Sequence, residues 1–459
     1  MWRNPGRCCA LRASLCAQHA LGWTPRRTRQ SKEGHGRTME VRVDGQLSGA
    51  ASRTPVVLAD DLSGAAEVAG VALRTGWTAA QVRLGSEIHA PGGGTLTVAD
   101  LDSRYLGAAS ARARVETAVR GLPGRGARVA KKIDSLLRGN LEAELAPFLR
   151  HGTTVVLCPA LPGLGRTVVN GELLLDGVAL HETPAWSAER RRAPRSVREA
   201  LGALPSRGAP LTDVRSGALP TLLRSGDPCV AVCDAVDDAD LRLIADAAHQ
   251  HDVVLAGSAD LIGHLLSRSR PAFAPATPVA VQPRPEPAHR VLGVVGTAAP
   301  IADRQLAHTA ATPGVLIRRL DLKDLVAGDR QFLARTSCDL AAALVERSVC
   351  IAVDAGFRPG RTEQRRVKES LAQIVADAVA HDVRIALFLT GGETARAVLD
   401  RLSVTTLPVY DEVHHGAVIA GTSAGRLVAI RPGSFGNEAS ITQVFRALGP
   451  ERTITRGTG

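Results

Sequence analysis

Aromatic residues are scarce in this sequence: they make up 3% of its 459 positions, whereas hydrophobic residues make up 45% and charged residues 22%. With so few rings, the chain offers no base-stacking platform for nucleic acid, and its cores must be built from Val, Leu, Ile and Ala. No apolar run approaches the roughly 20 residues that a membrane-spanning helix needs, so we expect no membrane insertion. The length leaves room for two or three globular domains.

The positive charge of the chain is concentrated at its N-terminal end. The formal net charge is +11, and residues 1–53 hold ten Lys or Arg against three Asp or Glu. The rest, with 46 basic and 42 acidic residues, carries only +4, so we expect no broad phosphate-binding face for nucleic acid. We expect residues 1–53 to form a disordered basic tail. Two origins are open for it: an Arg-rich targeting segment, or sequence that precedes a true start at Met39.

The cysteines are too scattered to indicate a zinc site or a disulfide framework. Cys229 and Cys233 lie close together, but no second close pair or neighbouring His completes a set of four ligands. We therefore expect the cysteines beyond the tail to be reduced thiols in the core of an intracellular, cytoplasmic protein. These are Cys158, Cys229, Cys233, Cys338 and Cys350.

Strand-like apolar runs alternate with helical patterns along the chain, which indicates an α/β fold built on mainly parallel sheets. Residues 55–59 are typical of a buried strand, and apolar residues then recur with helical spacing from Ala65 to Leu73. Further strands are predicted at 96–99, 128–130, 153–157, 230–233, 253–256, 291–295, 384–389 and 427–430.

A change in composition divides this pattern into two. Six prolines between Pro271 and Pro287 indicate a stiff connector. We place the boundary near residue 285, which predicts one α/β domain at 54–284 and a second at 285–459, with mainly parallel sheets that face an inter-domain cleft. Residues 183–226, rich in Arg, Pro and Ser, are predicted to be a long irregular excursion within the first domain.

Polar clusters follow several predicted strands of the first domain, at the edge where an open parallel sheet binds its ligands. They occupy residues 60–64, 100–104, 131–140 and 159–167. Their acids, hydroxyls and cations together suit a small sugar-like acid, because Arg and Lys bind a carboxylate while Asp and Ser bind hydroxyls. Simpler interpretations are a helix cap by one of the two adjacent aspartates and a solvated turn at 131–140.

The second domain carries glycine-rich loops where the first carries charged clusters. The run Thr-Gly-Gly-Glu-Thr at 390–394 follows a predicted strand and precedes a predicted helix. Thr390 and Glu393 have the spacing of a capping box, and paired glycines at a helix start favour a bound phosphate. A plain glycine-containing turn is the alternative. Residues 431–436 and 296–300 form two further turns of this kind.

Several well-known sites are absent from the sequence. There is no P-loop, and the protein-kinase signature set is missing as well. His414 and His415 are adjacent, but without further nearby ligands we interpret them as a loop pair and predict no metal site in the chain.

Taken together and in this order, these segments make the chain resemble the four-carbon acid sugar kinase family from about residue 55 to 445. The anchors are 59–65, 131–140, 165–167, 391–395 and 433–436. The resemblance implies an N-terminal sugar-binding domain, a C-terminal nucleotide-binding domain, and ATP-dependent phosphorylation of a hydroxyl on threonate, erythronate or a 3-oxo-tetronate. It also implies ATP and Mg²⁺ as cofactors and a small sugar acid as the partner.

The same resemblance implies roles for individual residues. Asp60 or Asp61 would be the catalytic group that takes the proton of the substrate hydroxyl. The residues that would line the sugar-acid pocket are Ser63, Arg104, Lys132, Asp134, Ser135 and Arg138, the three cations among them clamping the substrate carboxylate. Those that would hold ATP are Thr297, Gly391, Gly392, Glu393, Thr394, Gly433 and Ser434.

The chain also departs from the family pattern. Leu136 and Ala299 stand where the family usually has hydroxyl-bearing residues, and Arg431 replaces a usual Lys. The lost hydroxyls leave one alternative open, a catalytically lapsed protein that binds a sugar acid or a nucleotide as a sensor. Another alternative, a sugar-acid isomerase or aldolase partner, would need no ATP site.

Overall fold

The structure is a computed structural model that describes residues 54–449 apart from 89–93, 123–127, 188, 190, 225, 271–282, 297–299 and 355–359. The predicted basic tail, most of the proline-rich connector and Thr297 therefore lie outside the described residues. Within the described ranges, no helix combines the length and the apolar character that crossing a membrane requires.

The first half of the described chain alternates short strands with helices. Its strands are β1 (Val56–Ala59), β2 (Ala80–Leu84), β3 (Leu96–Asp100), β4 (Val129–Lys132), β5 (Val155–Cys158), β6 (Arg166–Val169), β7 (Glu172–Leu175), β8 (Val178–Ala179), β9 (Ser206–Ala209), β10 (Val230–Cys233) and β11 (Val254–Gly257). Its helices are α1 (Leu62–Arg74), α2 (Ala108–Arg120), α3 (Leu141–Arg150), α4 (Val197–Ala200), α5 (Leu211–Arg215), α6 (Leu219–Arg224), α7 (Asp238–Gln250) and α8 (Ala259–Arg268).

The second half repeats the alternation with longer strands. These strands are β12 (Arg290–Val295), β13 (Val315–Asp321), β14 (Ser348–Asp354), β15 (Ile385–Thr390), β16 (Thr406–His414), β17 (Ala417–Gly421) and β18 (Leu427–Arg431). The helices are α9 (Pro300–Ala310), α10 (Leu322–Ala327), α11 (Arg330–Glu346), α12 (Arg361–Val379), α13 (Gly392–Arg401) and α14 (Ser440–Leu448).

The strands other than β6–β8 form one sheet. Its order is β13-β14-β12-β15-β18-β17-β16-β2-β3-β1-β4-β11-β5-β10-β9, while β6, β7 and β8 form a small antiparallel sheet. Most neighbours in the large sheet are parallel, and its inner strands β1, β4, β5, β10 and β11 are buried along their whole length. Such burial is typical of parallel strands that are covered on both faces. The predicted α/β class and the mainly parallel pairing are confirmed.

The sheets of the two halves are joined edge to edge, which the sequence did not predict. Strand β2 pairs antiparallel with β16, from Ala80 opposite Val409 to Arg83 opposite Thr406. The pairs β16–β17 and β17–β18 are antiparallel as well, so the parallel strands of the second half run opposite to those of the first. Helix α1 packs against this junction through Gly70, where a Cβ would lie 2.9 Å from Val418 Cγ2.

The prediction that residues 183–226 form a long irregular excursion is wrong. This segment holds α4, α5 and α6, and its strand β9 forms the edge of the large sheet beside β10. Buried side chains anchor these elements, among them Val197, Val214 and Leu223. The composition of the segment did not indicate these elements, because each is only four to six residues long and exposes its other face to solvent.

The free cysteines largely match the expectation of core thiols. Cys158, Cys229, Cys233 and Cys350 are buried, whereas Cys338 on α11 is exposed, so the prediction is wrong for that residue. Burial raises the pKa of Cys158 and of Cys350 to about 12, which keeps these thiols protonated at neutral pH.

Candidate active site

Two adjacent carboxylates, Asp60 and Asp61, follow β1 at its carboxyl end. Asp61 is the N-cap of α1: its Oδ1 accepts the Gly64 N–H at 2.9 Å, and its Oδ2 accepts the Ser63 hydroxyl at 2.6 Å. The simpler interpretation of a helix cap is therefore correct for Asp61. It is incomplete, because both carboxylates also bind a guanidinium from a neighbouring loop.

Arg104 binds the two carboxylates at once. Its Nε and Nη2 donate to the two oxygens of Asp60 at 2.7 and 2.9 Å, and Nη2 also donates to Asp61 Oδ1 at 2.7 Å. Burial alone would raise the pKa of Asp60, but the charges of Arg104, Lys131 and Lys132 outweigh burial and hold this pKa below its usual value. Asp60 is thus held as an ionised partner of Arg104.

The side-chain amide of Asn140 holds the loop that carries Arg104. Its Nδ2 donates to the carbonyl oxygens of Ser103, Arg104 and Leu106 at 3.1, 3.3 and 2.9 Å. Gly139, with a φ of +92°, lets the two loops approach, because a Cβ there would lie 3.2 Å from Arg104 Cγ. The polar loops that follow β3 and β4 are therefore in direct contact.

The two lysines at the end of β4 each pair with a buried glutamate. Lys131 Nζ lies 2.6 Å from Glu144 Oε2, and Lys132 Nζ lies 3.3 Å from Glu67 Oε2. Glu67 lies on α1, one turn beyond the capping residues, and a Cβ built on Gly64 would lie 3.2 Å from the Lys132 amine. The Lys132–Glu67 pair thus borders the carboxylate cluster.

The remaining predicted pocket residues extend this network. Arg138 donates through Nη2 to Asp134 Oδ1 at 2.9 Å. Burial alone would raise the pKa of Asp134, but Arg138 and Arg104 hold it well below its usual range. The neighbouring Ser135 hydroxyl accepts a hydrogen bond from Arg166 Nη1.

Arg166 differs from the other cations of the cluster. Lys132, Arg104 and Arg138 each pair with a carboxylate, whereas Arg166 makes no ion pair with any described residue. Burial lowers the pKa of Arg166, and the nearby Asp134 opposes that shift. Among the described residues, the Arg166 guanidinium is therefore the cation of this cluster that no carboxylate neutralises directly.

Helix α13 begins at the paired glycines of the second half. Gly391 is its N-cap, with a φ of +84° and no side-chain cap. The predicted capping box is wrong: the Thr390 hydroxyl donates to the Val294 carbonyl oxygen at 3.2 Å, and Glu393 pairs with Lys368. A Cβ built on Gly391 would meet no heavy atom within 4 Å. The helix start therefore offers space beside N–H groups that the helix itself leaves without acceptors.

The start of α13 lies directly against the carboxylate cluster. A Cβ built on Gly392 would come within 2.3 Å of Asp61 Oδ2 and within 3.1 Å of the Ser63 nitrogen. A Cβ on Gly296 would lie 2.2 Å from Thr394 Oγ1, so Gly296, directly after β12, contacts the same helix. Asp61 and Ser63, two of the residues predicted for the sugar-acid pocket, thus contact the first glycine loop directly.

The second glycine loop is organised by buried side chains. Gln305 Nε2 donates to the carbonyl oxygens of residues 435–437 at 3.2, 3.4 and 3.0 Å, and Arg431 donates to Gln305 Oε1 at 2.9 Å. Arg431 is fully buried, and burial lowers its pKa to about 10. Arg431 therefore supports the loop from within. Of the two predicted ATP contacts here, Gly433 is half-buried and Ser434 is exposed.

A histidine links this loop to helix α1. His415 stacks on Phe435, with ring centroids 5.5 Å apart and planes 14° apart, and its Nε2 lies 3.4 Å from Glu67 Oε1. The neighbouring His414 Nε2 lies 2.6 Å from the Ser440 hydroxyl. The described residues contain no group of three His, Cys, Asp or Glu side chains placed to hold a metal ion.

Glu67 and Arg166 are among the residues of this site that escaped prediction as site residues. Glu67 is the one charged side chain of α1 before its last residue, Arg74. The sequence could have indicated its role, because a carboxylate in a buried apolar helix requires a partner. Arg166 stood in a recognised glycine-rich turn, but its lack of a carboxylate partner is visible only in three dimensions.

Two family models match the chain. Residues 55–265 match a sugar-binding N-terminal domain, and residues 292–441 match a nucleotide-binding C-terminal domain. The chain is 31% identical to a D-threonate kinase of Cupriavidus necator, over 86% of this chain and 98% of that protein. It is 30% identical to a 3-oxo-tetronate kinase of Methylobacterium radiotolerans, over 83% and 95%. It is 26% identical to a D-erythronate kinase of Heliobacterium modesticaldum, over 85% and 96%.

Solved structures share the fold. A Salmonella typhimurium protein matches with a TM-score of 0.70 at 19% identity, over 85% of this chain and 98% of its own. A Haemophilus influenzae protein matches with a TM-score of 0.61 at 18% identity, over 84% and 98%. At such identities the likeness concerns the fold alone.

Proposed function

This chain belongs to the four-carbon acid sugar kinase family, and on that premise we propose that it transfers a phosphoryl group from ATP to a hydroxyl of a threonate-, erythronate- or 3-oxo-tetronate-type acid. The observation that carries the proposal is the close approach of Gly392 to Asp61. It brings a helix start suited to phosphates to a carboxylate suited to accept a hydroxyl proton. Phosphoryl transfer depends mainly on such positioning and on charge stabilisation. The names of the curated relatives support the substrate class.

In this proposal Asp61, and not Asp60, is the general base. Both oxygens of Asp60 accept hydrogen bonds from N–H groups of Arg104, so this carboxylate is already engaged by the protein itself. Asp61 Oδ2 accepts the Ser63 hydroxyl and faces Gly392, so a substrate hydroxyl that replaces or joins the Ser63 contact would lie next to the phosphate loop. A positioned base contributes about 10²–10⁴-fold to such a step.

Arg166 is proposed to bind the carboxylate of the substrate. The three cations predicted for this task are each neutralised by an internal carboxylate, so their charge is less available to a ligand. Arg166 has no such partner among the described residues, and its hydrogen bond to Ser135 places a hydroxyl beside it. A guanidinium next to a hydroxyl suits an acid that also carries hydroxyl groups.

The glycine loops fit the phosphates of a nucleotide. The N–H groups at the start of the ten-residue helix α13 favour an anion, and Gly391 leaves open space there. Gly391, Gly392 and Thr394 would hold the phosphates from this side, and Gly433 with Ser434 would approach from the second loop. When bound, ATP supplies the phosphoryl group that is transferred.

The acidic groups of the site fit an Mg²⁺ ion that is held chiefly by the nucleotide. Mg²⁺ in such enzymes is usually bound by one or two carboxylates together with substrate phosphates. The described residues offer no three-ligand cluster, so the protein would supply few ligands; the Asp61 carboxylate contacts the start of α13 and would be one of them. When bound, the ion would neutralise charge on the phosphate oxygens.

A coupled assay of ADP release tests this proposal with the full-length protein, ATP and Mg²⁺. We expect ADP release that depends on threonate, erythronate or a 3-oxo-tetronate and that stays at background without an acid. Binding of an acid without ADP release would instead favour the lapsed sensor. Absence of nucleotide binding would favour a sugar-acid enzyme that needs no ATP.

A further inference from the structure

Helix α13 contacts the first half of the chain at a second point, one turn beyond Gly392. There Arg396 Nη1 donates to Asp100 Oδ2 at 2.8 Å. The Asp100 side chain is completely buried, and that of Arg396 is 13% exposed. This ion pair joins a strand end of the first half to a helix of the second, and its burial protects it from screening by salt.

Asp100 is also the residue from which the Arg104-bearing loop departs. Its second oxygen, Oδ1, accepts the Asp102 N–H at 2.9 Å, and Asp102 has a φ of +46°. One oxygen of Asp100 thus fixes the turn of the loop, while the other binds α13. Four residues further along, Arg104 binds the carboxylate of Asp61.

These contacts close a ring around the site. Asp61 contacts Gly392, and one turn of α13 leads from Gly392 to Arg396. The ion pair connects Arg396 to Asp100, and the loop leads from there to Arg104, which binds Asp61 again. Each of the two chain segments in the ring, 100–104 and 392–396, is only five residues long, so the ring permits little movement. It therefore constrains the distance between the helix start and the carboxylate more tightly than one van der Waals contact does.

We propose that Asp100 and Arg396 are positioning residues that hold the start of α13 against Asp61 in the geometry that phosphoryl transfer needs. The inference rests on the proposed function. Neither residue contacts the reacting atoms. Asp100 acts through the loop of Arg104, and Arg396 acts through the helix that begins with Gly392. Misplacing reacting groups by about 1 Å costs on the order of 10²-fold in rate, so a small rotation of α13 is sufficient to impair the reaction.

The test uses Arg396→Gln and Asp100→Asn in the full-length protein. Arg401→Gln, at an exposed position later on the same helix, is the matched control. We expect the two ion-pair variants to lower kcat about 10- to 100-fold. The KM for the sugar acid and the Kd for ADP, measured by calorimetry, should change by less than about threefold, because ground-state binding does not require the closed ring.

Two further variants separate a positioning role from loss of folding. The double variant should lose no more activity than the worse single variant, because the two residues act as one unit. Arg396→Lys keeps a cation opposite Asp100 and should recover part of the lost kcat. Independent, additive losses without recovery by Lys would overturn the inference.

Hydrogen exchange of the segment 100–106 supplies a measurement that does not depend on turnover. Arg396→Gln should exchange faster there than wild type, and Arg401→Gln should not. Unchanged exchange, or a lower melting temperature with unchanged kcat, would mean that the pair is merely structural and would overturn the inference. A wild-type protein that turns over no four-carbon acid would overturn the proposed function and this inference with it, whereas active ion-pair variants would overturn the inference alone.

Discussion

Gly392 and Asp61, from opposite halves of the chain, approach so closely that no side chain fits between them. A Cβ on Gly392 would lie 2.3 Å from Asp61 Oδ2, well inside van der Waals contact. The helix start that we propose to hold the nucleotide and the carboxylate that we propose to act on the sugar acid are therefore in direct contact. Any group larger than hydrogen at position 392 must displace one of them.

Replacing Gly392 with Ala should lower kcat/KM by about 10²-fold or more, because the helix start must move away from Asp61. Steady-state kinetics with ATP and a four-carbon acid measure this effect. Gly208→Ala in β9 is the matched control, since a Cβ there would meet no heavy atom within 4 Å. A Gly392→Ala enzyme as fast as the control would show that the close approach has no part in the reaction.

Replacing Arg166 with Gln should raise the KM for the sugar acid about 10- to 100-fold, the loss expected for a charge-assisted hydrogen bond of about 1.5–3 kcal/mol. The KM for ATP should not change. Preference for the acid over an uncharged four-carbon polyol should fall by the same factor as the KM rises. Arg198→Gln, at an exposed position on α4, is the control. Equal losses for acid and polyol would exclude Arg166 as the carboxylate contact.

Replacing Glu67 with Gln should lower the free energy of unfolding by about 3–5 kcal/mol, because it leaves the buried Lys132 amine without its carboxylate. Urea denaturation measures the change. Glu116→Gln removes the partner of Arg150 in a largely exposed pair and should cost no more than about 1 kcal/mol. Similar costs for the two variants would contradict a stabilising Lys132–Glu67 pair.

The stability of the protein should depend on the ionisation of Asp100. Burial raises the pKa of this carboxyl from 3.8 to about 7, although Arg396 opposes the shift. Because the folded state keeps the proton more tightly, the stabilising contribution is fully present below about pH 4 and is lost as the pH rises through about 7. The other charged groups that act on this pair are Asp102, beside Asp100, and Asp400, beside Arg396. Arg114 and Lys368 act on Asp102 in turn.

We therefore expect the unfolding free energy of wild type to fall relative to that of Asp100→Asn as the pH rises from about 5 to about 8. Urea denaturation of both proteins at several pH values measures this difference, and titration of shared groups cancels in it. A difference that stays constant over that range would contradict the raised pKa of Asp100.

The strands around the site were predictable because their apolar runs are continuous and bounded by polar residues. The predicted strand at 230–233 coincides with β10. The one at 55–59 begins one residue before β1, and the one at 384–389 is shifted by one residue at both ends relative to β15. Since parallel strands end at a common edge, the polar residues that follow them had to meet. Their clustering could therefore be predicted without knowing which residues distant in the sequence contact each other.

The pairing of charges was not predictable, because it depends on which loops touch. Arg104 looked free to bind a ligand, but it reaches the aspartates because Asn140 holds its loop in place. Likewise, Thr390 and Glu393 had the spacing of a capping box, yet Thr390 is the last residue of β15 and donates across the sheet. Local spacing could not reveal either competing partner.

The fate of the γ-phosphate shows whether the protein transfers a phosphoryl group to the acid or only hydrolyses ATP. With γ-labelled ATP and a four-carbon acid, wild type should form the labelled phosphate ester of that acid, detected by mass spectrometry. Asp61→Asn should form it about 10²–10⁴-fold more slowly, as loss of a general base predicts. Label found only in inorganic phosphate, or equal rates for wild type and Asp61→Asn, would contradict the account.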